Sequence, residues 1–345
     1  MIMSRTPFRI SFFGGGTDYP AWYLKEGGAV LSTAIDKYIY LTCRYLPPFF
    51  EMRHRIVWSR IENVWSIEDI RHPAVREALR SMDFTDTIGL DVHYQGDLPA
   101  RSGMGSSSSF SVGLINALSA LRGQRLSRHE LALRAIDLEQ CRLGENVGAQ
   151  DQLAVAYGGL NRIEFMRTGE FRVEPLVVSP ERLRVLESSL MLFYTGLSRS
   201  SSELAGQIIA NLDQRQAQLR RMRAMVDEGI DILCGTQSLS AFGALLHEAW
   251  MNKRGLSSSM TNTNIDAIYQ KARANGALGG KLLGAGEAGF MLFFVPPECQ
   301  KSVKKALGLL HVPFEFAWEG SKIIHYEPDT VTYPERAQRL EASYG

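Results

Sequence analysis

A glycine- and serine-rich segment constrains this sequence most. Residues 99–109 read PARSGMGSSSS and stand between a predicted strand at 88–95 and an apolar helix that stops at Gly123. Small residues let the backbone approach a polyanion closely, and the N–H groups and dipole at a helix start favour a bound phosphate. The segment therefore predicts a phosphate-binding strand–loop–helix unit, with a plain Ser/Gly linker or helix cap as the alternative. It is not a Walker A loop, because GxxxxGK(S/T) is absent from the chain.

A second glycine cluster, GAGEAG at 284–289, matches the pattern GxGxxG. A dinucleotide-binding fold needs a helix after that pattern, but FMLFFV at 290–295 is typical of a buried strand. The sequence instead predicts a glycine loop packed under a ligand phosphate beside Lys281. An ordinary tight turn between a helix and a strand is the alternative.

Two acidic residues and one arginine complete the candidate chemistry. Asp151 lies in GAQDQ beside apolar residues, where a buried carboxylate needs a partner, and Glu139 precedes it across a glycine-containing turn. Arg9 lies on an otherwise apolar strand, and a buried arginine is rarely unpaired. The alternatives are a turn-stabilising Asp151, a solvated Glu139 and a structural ion pair for Arg9.

Apolar periodicity predicts a mixture of strands and helices without the regular rhythm of parallel βαβ units, so an α+β fold is favoured. The predicted strands are 8–12, 29–41, 51–60, 88–95, 160–165, 189–196 and 290–295. Predicted helices follow the glycine–serine segment and occupy 72–81, 127–143, 200–226, 240–251, 264–275 and 298–309. At 345 residues the chain is long enough for two domains, which we place at 1–187 and 188–345.

Composition narrows the class of protein. The formal net charge is +1, so no overall field attracts nucleic acid or anionic lipid, and an anionic partner must be held by a local site. The four cysteines form no CxxC pair, which argues against a disulfide framework and fits a reducing cytoplasm. No apolar run approaches the roughly 18 residues that a membrane span needs. We expect a cytoplasmic protein, a monomer or a homodimer, that interacts with neither nucleic acid nor membrane.

Taken in order, these segments resemble the GHMP small-molecule kinases, named for galacto-, homoserine, mevalonate and phosphomevalonate kinases. PFRISFFGGGTDY at 7–19 resembles the first family motif, residues 99–109 resemble the phosphate loop, and GKLLGAG at 280–286 resembles the third motif. The stretch from Glu139 to Gln152 is similar to the part of galactokinases that carries a metal-ligand glutamate and the catalytic aspartate. The similarity covers most of the chain.

The resemblance implies an N-terminal domain like ribosomal protein S5 domain 2, a C-terminal α+β sandwich domain, and an active site between them. It implies ATP and Mg²⁺ as cofactors, with the metal held by Ser107 and Glu139. Asp151 would accept or polarise the proton of the acceptor hydroxyl, and Arg9 would stabilise the transferred phosphoryl group. The implied ATP-binding residues are Gly103, Met104, Gly105, Ser106, Ser107, Ser108, Gly284 and Gly286.

Within the family, the chain is most similar to kinases of D-glycero-D-manno-heptose 7-phosphate, through features such as FYTGLSR at 193–199 and GALGGKLLGAG at 276–286. These add a phosphate to the anomeric hydroxyl in the synthesis of nucleotide-activated heptose. Galactokinases carry Glu-His where this chain has Gly15-Gly16, so two side chains that grip a sugar are missing and the pocket is larger. The implied substrate-binding residues are Gly15, Gly16, Thr17, Asp18, Lys37, Arg199 and Lys253.

If the acceptor carries a phosphate, the pocket needs cations at its end remote from Asp151. We expect Lys37, Lys253 and Arg199 to bind that phosphate. A kinase for a neutral fucose- or galactose-like sugar is the first alternative. A catalytically inactive sugar-binding regulator on the same fold is the second, and ATP turnover with and without sugars discriminates the two classes. A dinucleotide oxidoreductase would require a helix after Gly289.

Overall fold

The computed structural model describes residues 1–47, 49–196, 206, 209, 212–256, 260–284, 286 and 289–328. Its first sheet is built on a long antiparallel pair, β1 (Ile2–Phe13) and β2 (Gly28–Leu46), joined through the short helix α1 (Pro20–Glu26). Arg9 of β1 lies opposite Ala34 of β2, and nearly all of β1 is buried. The predicted strand at 8–12 is therefore confirmed, as part of a longer one.

The remaining strands of the first sheet extend from this pair. They are β3 (His54–Val57), β4 (Ile61–Val64), β5 (Gly89–Gly96), β6 (Leu160–Phe165), β7 (Phe171–Pro175) and β12 (Lys322–Tyr326). The long β2 pairs with β6 along its first half and with β5 along its second half, while β12 pairs with the start of β1. Most pairs are antiparallel, and β3 lies parallel to β5. The two halves of β2 thus extend the sheet in different directions.

Helices cover the first sheet. They are α2 (Pro73–Ser81), α3 (Ser106–Leu121), α4 (Arg128–Ile136), which continues as a π-helix (Asp137–Arg142), α5 (Gln150–Tyr157) and α6 (Pro180–Ser189). Helix α3 is apolar almost all round and packs against β1 and β2, so its first turn is fixed at the end of a buried element. The side chain of Ser127 caps α4 reciprocally with Glu130, which confirms the predicted capping box.

A second, four-stranded sheet follows in the order β11-β8-β10-β9. Its strands are β8 (Leu190–Tyr194), β9 (Gly279–Leu282), β10 (Phe290–Phe294) and β11 (Leu310–Val312). Helices in this half of the chain are α7 (Gln216–Cys234), α8 (Ser240–Arg254), α9 (Thr263–Ala274) and α10 (Gln300–Leu307). Helix α8 lies so close to β9 that a Cβ on Gly279 would stand 1.9 Å from the carbonyl oxygen of Gly243. The glycines of β9 allow this close packing. They are also the reason that no strand was predicted here from the sequence.

Several predicted boundaries change. The helix predicted to end at 226 runs to Cys234. The strand predicted at 51–60 is shorter, because β3 (His54–Val57) ends at a bend at 58–60 and the chain then turns back as β4. The division at 187/188 falls inside α6, and β12 returns to the first sheet although it belongs to 188–345. We keep that division as a proposal for the two sheets.

A shared core joins the two sheets near the end of β1. The rings of Phe12 and Phe13 contact the ring of Phe242 on α8 edge-on, with centroids 5.4 and 5.0 Å apart. Aromatic contacts of this kind hold the end of one strand firmly against a helix of the other half. The loop that leaves β1 is thereby placed beside α8. Within the part of the chain that is described, no helix has both the length and the apolarity to span a membrane.

Candidate active site

An open cleft lies where the two halves meet. It is bordered by the loop after β1, the segment before α3, the segment before α5, the last turn of α8 and the turn between β9 and β10. The residues that line it are Arg9, Ser11, Gly15, Gly16, Asp18, Tyr19, Arg101, Gly103, Gly105, Ser106, Ser107, Ser108, Asn146, Val147, Gly148, Gln150, Asp151, Lys253, Leu256, Lys281, Gly284 and Gly286. The three family-like motifs and the Asp151 segment therefore converge on one site.

The centre of the cleft is an ion pair between Arg9 and Asp151. The Nε and Nη2 atoms of Arg9 donate to the two carboxylate oxygens of Asp151, each at 2.7 Å, and Nη1 donates to the carbonyl oxygen of Gly103 at 2.8 Å. A bidentate contact of this kind fixes the plane of the carboxylate. Arg9 is 4% exposed and Asp151 is 21% exposed, so the arginine holds the carboxylate from behind while one side of it remains accessible.

The segment before α3 forms a tight loop against this pair. Gly105 is the N-cap of α3 with φ of 76°, and a Cβ there would stand 3.1 Å from Cγ of Arg9. The N-cap therefore has no side chain to occupy the first N–H groups of the helix, which face the region where an anion is favoured. Ser109 anchors the turn by donating to the carbonyl oxygen of Pro7 at 2.8 Å. The position and shape of the loop match the predicted phosphate site.

The second glycine cluster packs directly on this loop. A Cβ on Gly103 would stand 2.3 Å from the carbonyl oxygen of Leu283, and a Cβ on Gly284 would stand 2.4 Å from Cα of Gly103. A Cβ on Gly289 would likewise stand 2.1 Å from the carbonyl oxygen of Ser102. Backbone touches backbone here, and only glycine permits that. The two glycine-rich segments form one continuous wall of the cleft.

Glu139 lies behind the phosphate loop and is fully buried. Its Oε2 atom accepts hydrogen bonds from Ser108 Oγ, at 2.9 Å, and from the amide of Gln152, whereas Oε1 has no hydrogen-bond partner among the described residues. Burial raises the pKa of Glu139 to about 7, although serine and glutamine donors oppose the change. The alternative of a solvated Glu139 is wrong. Ser108 is the serine that donates to Oε2, and Ser107 and Ser108 both line the cleft.

Asp18 is a second buried carboxylate, and backbone groups surround it. Its Oδ1 atom accepts from the N–H of Gly16 at 2.8 Å, and a Cβ on Gly148 would stand 1.7 Å from its Oδ2. Its backbone carbonyl accepts from Ala149, just before α5. Burial raises the pKa of Asp18 to about 6, against the effect of its backbone donors. The carboxylate lines the cleft and also ties the loop after β1 to the start of the helix that carries Asp151.

Two lysines from the second half of the chain line the same cleft. The Nζ atom of Lys253 donates to the carbonyl oxygens of Leu282, at 3.1 Å, and of Gly284. The Nζ atom of Lys281 donates to the carbonyl oxygen of Phe12 at 2.9 Å. Burial, followed by the charge of Arg9, lowers the pKa of Lys253 to about 7, and burial lowers the pKa of Lys281 well below its usual value. The cleft thus gathers positive charge beside Asp151.

Five predicted site residues need correction or lie elsewhere. Thr17 is buried and gives its hydroxyl to the carbonyl oxygens of Gly14 and Ala29, so it is structural. Lys37 pairs with the neighbouring Asp36 and does not line the cleft, and the side chain of Met104 is buried in the core. Lys253 lies close to Asp151 and not at the remote end of the pocket. Arg199 lies outside the described residues.

Two cleft residues that sequence reasoning missed lie beside predicted ones. Ser11 follows Arg9 by two positions on β1, so the strand period puts both on one face, and its hydroxyl donates to Oε1 of Gln150 at 2.8 Å. Gln150 directly precedes Asp151 at the start of α5. The sequence signal for Ser11 was that it is a second polar residue, two positions from Arg9, on an apolar strand. Lys281, noted only as a neighbour of the glycine loop, also belongs to the site.

Comparison with protein families agrees with this geometry. Residues 71–159 match the model of the GHMP kinases N terminal domain, and residues 231–307 match the model of the GHMP kinases C terminal region. The chain belongs to the GHMP kinase family. It is a phosphotransferase, a sugar kinase of that family, and ATP is its phosphate donor. The predicted family, enzyme class and two-domain fold are confirmed.

Individual relatives support the same conclusion. The chain is similar to the D-glycero-alpha-D-manno-heptose 7-phosphate kinase of Campylobacter jejuni, with 29% identity over 93% of this chain and 98% of that protein. It is 26% identical to the bifunctional fucokinase/GDP-fucose pyrophosphorylase of Arabidopsis thaliana over 83% of this chain, but spans only 29% of that protein. A solved D-glycero-D-manno-heptose 1-phosphate kinase from Bacteroides thetaiotaomicron has the same fold, with a TM-score of 0.70, 24% identity, and coverage of 95% and 100%.

Proposed function

We propose that the kinase transfers the γ-phosphoryl group of ATP to the anomeric hydroxyl of D-glycero-D-manno-heptose 7-phosphate. The product would be the 1,7-bisphosphate, on the route to nucleotide-activated heptose. The observation that carries the proposal is the cleft itself, where Arg9, Lys253 and Lys281 gather beside a single accessible carboxylate. A cationic, partly desolvated site suits a reaction in which both substrates carry phosphate. The full-length similarity to the Campylobacter heptose 7-phosphate kinase favours the same acceptor.

In this proposal Asp151 receives the proton of the acceptor hydroxyl. The two hydrogen bonds from Arg9 hold the carboxylate in one plane, so the acceptor oxygen is oriented as it attacks phosphorus. Phosphoryl transfer has a loose transition state, and its catalysis is mostly positioning and electrostatic stabilisation. A carboxylate that polarises the hydroxyl and accepts its proton late is therefore sufficient. Arg9 adds positive charge where the phosphoryl group passes.

The phosphates of ATP are expected to lie on the wall made by the two glycine-rich segments. The first N–H groups of α3 favour an anion there, and the close contact between Gly103 and Gly284 keeps the wall free of side chains. The remaining backbone positions of this site are the predicted ones, Gly105, Ser106, Ser107, Ser108 and Gly286. Met104 contributes to the loop through its backbone only.

The site has oxygen donors that suit Mg²⁺. Glu139 has one carboxylate oxygen without a partner among the described residues, and Ser107 faces the cleft one residue before the serine that holds Glu139. Mg²⁺ prefers oxygen ligands and keeps several waters, so two protein ligands and the ATP phosphates suffice. When bound, it neutralises charge on the phosphates. No cluster of three or more acidic, histidine or cysteine residues occurs in the described ranges, in keeping with so small a protein ligand set.

The acceptor is expected beside the loop after β1. A Cβ on Gly15 would meet nothing nearer than 3.6 Å, so its absence leaves open space for a large sugar. Asp18 would offer an oxygen to a sugar hydroxyl, and Arg199, outside the described residues, remains a candidate for the 7-phosphate. The similarity to a fucokinase keeps a neutral-sugar kinase as the second candidate.

Initial rates with Mg-ATP and a panel of acceptors test the proposal. The panel contains the heptose 7-phosphate, the same heptose without its phosphate, L-fucose and D-galactose. The heptose 7-phosphate should have the highest kcat/KM by at least about tenfold, since a hydrogen bond to a charged group contributes roughly 1.5–3 kcal/mol. A higher kcat/KM for fucose or galactose would favour the neutral-sugar kinase. Sugar binding without turnover of any acceptor would favour the regulator.

A further inference from the structure

The cleft holds more buried basic side chains than its carboxylates can pair with. Asp151 is engaged by Arg9 through both of its oxygens, and Asp18 accepts from backbone N–H groups. No ion pair in the described part of the chain includes Lys253 or Lys281. Burying a charged group without a partner of opposite charge is costly, so such a cation marks a place where an anion binds.

Lys253 differs from Lys281 in where its ammonium lies. Its donors reach the carbonyl oxygens of Leu282 and Gly284, at the point where Gly284 touches Gly103 of the phosphate loop. An ammonium group has three N–H donors, and these two carbonyls use two of them. The third remains for a ligand in the cleft. Lys281 instead donates toward the end of β1, at Phe12, away from this seam.

We propose that Lys253 is a catalytic residue that donates a hydrogen bond to the phosphoryl group during its transfer. The inference rests on the proposed kinase reaction at this site and adds a group that comes from the second half of the chain. Lys253 lies beside the Arg9–Asp151 pair, where the acceptor hydroxyl and the γ-phosphorus must meet. The acceptor's own phosphate, at the other end of a seven-carbon sugar, lies too far from that point.

The step balances without a further reactant. The acceptor oxygen forms a bond to the γ-phosphorus, and the bond between that phosphorus and the bridging oxygen breaks, leaving its electron pair on ADP. The hydroxyl proton passes to Asp151 and then to solvent. Lys253 keeps its protons and donates one hydrogen bond to a non-bridging oxygen, so it lowers the barrier by electrostatic stabilisation, as preorganised donors do.

The titration of Lys253 gives a specific readout. The charged groups that face it are Arg9 of β1, Asp151 of α5 and Lys281 of β9, and Asp18 and Arg101 line the same cleft. Since burial and Arg9 lower the pKa of Lys253 to about 7, the free enzyme loses the ammonium as the pH rises above 7. The pH profile of kcat/KM reports groups of the free enzyme. It should therefore fall above pH 7, and an arginine at this position should abolish the fall.

The experiment compares wild type with Lys253→Met, Lys253→Arg and a control, Arg254→Met. Arg254 is the next residue on α8, but it pairs with Asp266 outside the cleft. Steady-state kinetics from pH 6 to 9 use whichever acceptor the wild type phosphorylates best, so a different sugar specificity does not affect the result. Lys253→Met should lower kcat by about 10²–10³-fold, as loss of one preorganised donor does, with acceptor KM nearly unchanged. Lys253→Arg should keep measurable turnover without the fall above pH 7.

Nucleotide binding gives a second measurement that needs no turnover. By calorimetry, Lys253→Met should weaken the binding of a non-hydrolysable ATP analogue by roughly tenfold or more and leave the binding of ADP unaffected, because only the γ-phosphate reaches the lysine.

The proposal is overturned if Lys253→Met raises acceptor KM at unchanged kcat, which would assign the lysine to the acceptor's phosphate. It is equally overturned if Lys253→Arg retains the wild-type pH profile or if the ATP analogue and ADP weaken alike. If Lys253→Met does not fold, Lys253→Arg alone decides.

Discussion

Two buried groups of charges in this kinase are arranged in opposite ways. On the first sheet, Asp91 of β5 is 3% exposed and is surrounded by two arginines and a histidine from three strands. It accepts from Arg44 at 3.0 Å, from Arg55 at 3.0 and 2.8 Å, and it contacts His93 at 2.7 Å. Burial alone would raise the pKa of Asp91, but the hydrogen bonds from Arg55 and Arg44 outweigh it and lower the pKa.

In the cleft the balance is reversed. Burial raises the pKa values of Asp18 and Glu139 and lowers that of Lys253, because no partner of opposite charge compensates for the loss of water. Such perturbed groups gather at functional sites, whereas matched ones stabilise the fold. Charged side chains therefore stabilise the fold where they are paired within the chain. Where they lack such partners, we expect them to bind the charged groups of the substrates.

The largest expected effect is on catalysis. Asp151→Asn is nearly isosteric and keeps one oxygen for Arg9, but it removes the proton acceptor. We expect kcat to fall by about 10²–10⁴-fold with the fold and ATP affinity retained. Some loss of stability is also expected, because the buried Arg9 loses its charge partner. Steady-state kinetics and calorimetry of the purified variant measure this. Turnover near the wild-type rate would refute the assignment of Asp151 as the proton acceptor.

Asp91→Asn should produce the opposite result. Removing the charge of Asp91 weakens its hydrogen bonds from Arg44 and Arg55. Because the side chains of these arginines are 38% and 26% exposed and remain solvated, the cost is on the order of 1–2 kcal/mol. Because the folded pKa of Asp91 lies below 3.8, its stabilisation is present above that pH and is lost as the pH falls through the folded value. Urea unfolding at pH 7 should show the loss in full, and less of it at lower pH, while kcat of the folded fraction is unchanged. A loss of kcat without a loss of stability would contradict the purely structural role of Asp91.

The metal ligands should show a smaller effect on the reaction. Ser107→Ala and Glu139→Gln each remove an oxygen ligand, so each should raise the Mg²⁺ concentration for half-maximal rate by about tenfold. Glu145→Gln serves as the control, because Glu145 is a neighbouring carboxylate to which no role in metal binding is assigned. Unchanged Mg²⁺ titration curves for both variants would show that the metal is held elsewhere.

The last expected effect is a gain of stability in the cleft. The pKa of Asp18 is about 6 in the folded protein and 3.8 in the unfolded chain, so the folded state binds more protons between these values. Stability therefore falls as the pH rises from 3.8 to 6, and the full cost remains above 6. Asp18→Asn should remove a cost of roughly 3 kcal/mol at pH 7 and only a small part of that at pH 4. Unfolding curves that differ equally at both pH values would contradict this account of Asp18.

The sequence predicted best where the signal was local. The capping box at Ser127 and Glu130 and the glycine–serine loop before an apolar helix are set by neighbours within a few residues, and both are confirmed. Asp151 was singled out as a carboxylate beside apolar residues, and Glu139 because it precedes Asp151 across a glycine-containing turn. Their partners are less predictable, since Ser108 reaches Glu139 across 31 positions of the chain.

Single polar residues could not be assigned from the sequence alone. Thr17 and Asp18 are neighbours, yet one gives its hydroxyl to buried carbonyls while the other lines the cleft. Lys37 and Lys253 looked equivalent as isolated cations, but one pairs with Asp36 and the other reaches the glycine wall from the far end of α8. Their roles depend on how the two halves of the chain meet, which no local pattern encodes.

The identity of the product tests the proposed reaction most directly. Phosphorus NMR of the wild-type kinase with Mg-ATP and D-glycero-D-manno-heptose 7-phosphate should show the ATP signals convert to those of ADP. It should also show one new phosphate signal coupled to the anomeric proton, with the 7-phosphate signal retained. A new signal coupled to any other sugar proton would contradict the proposed position of transfer. No new signal, from a preparation that phosphorylates a neutral hexose, would contradict the proposed acceptor.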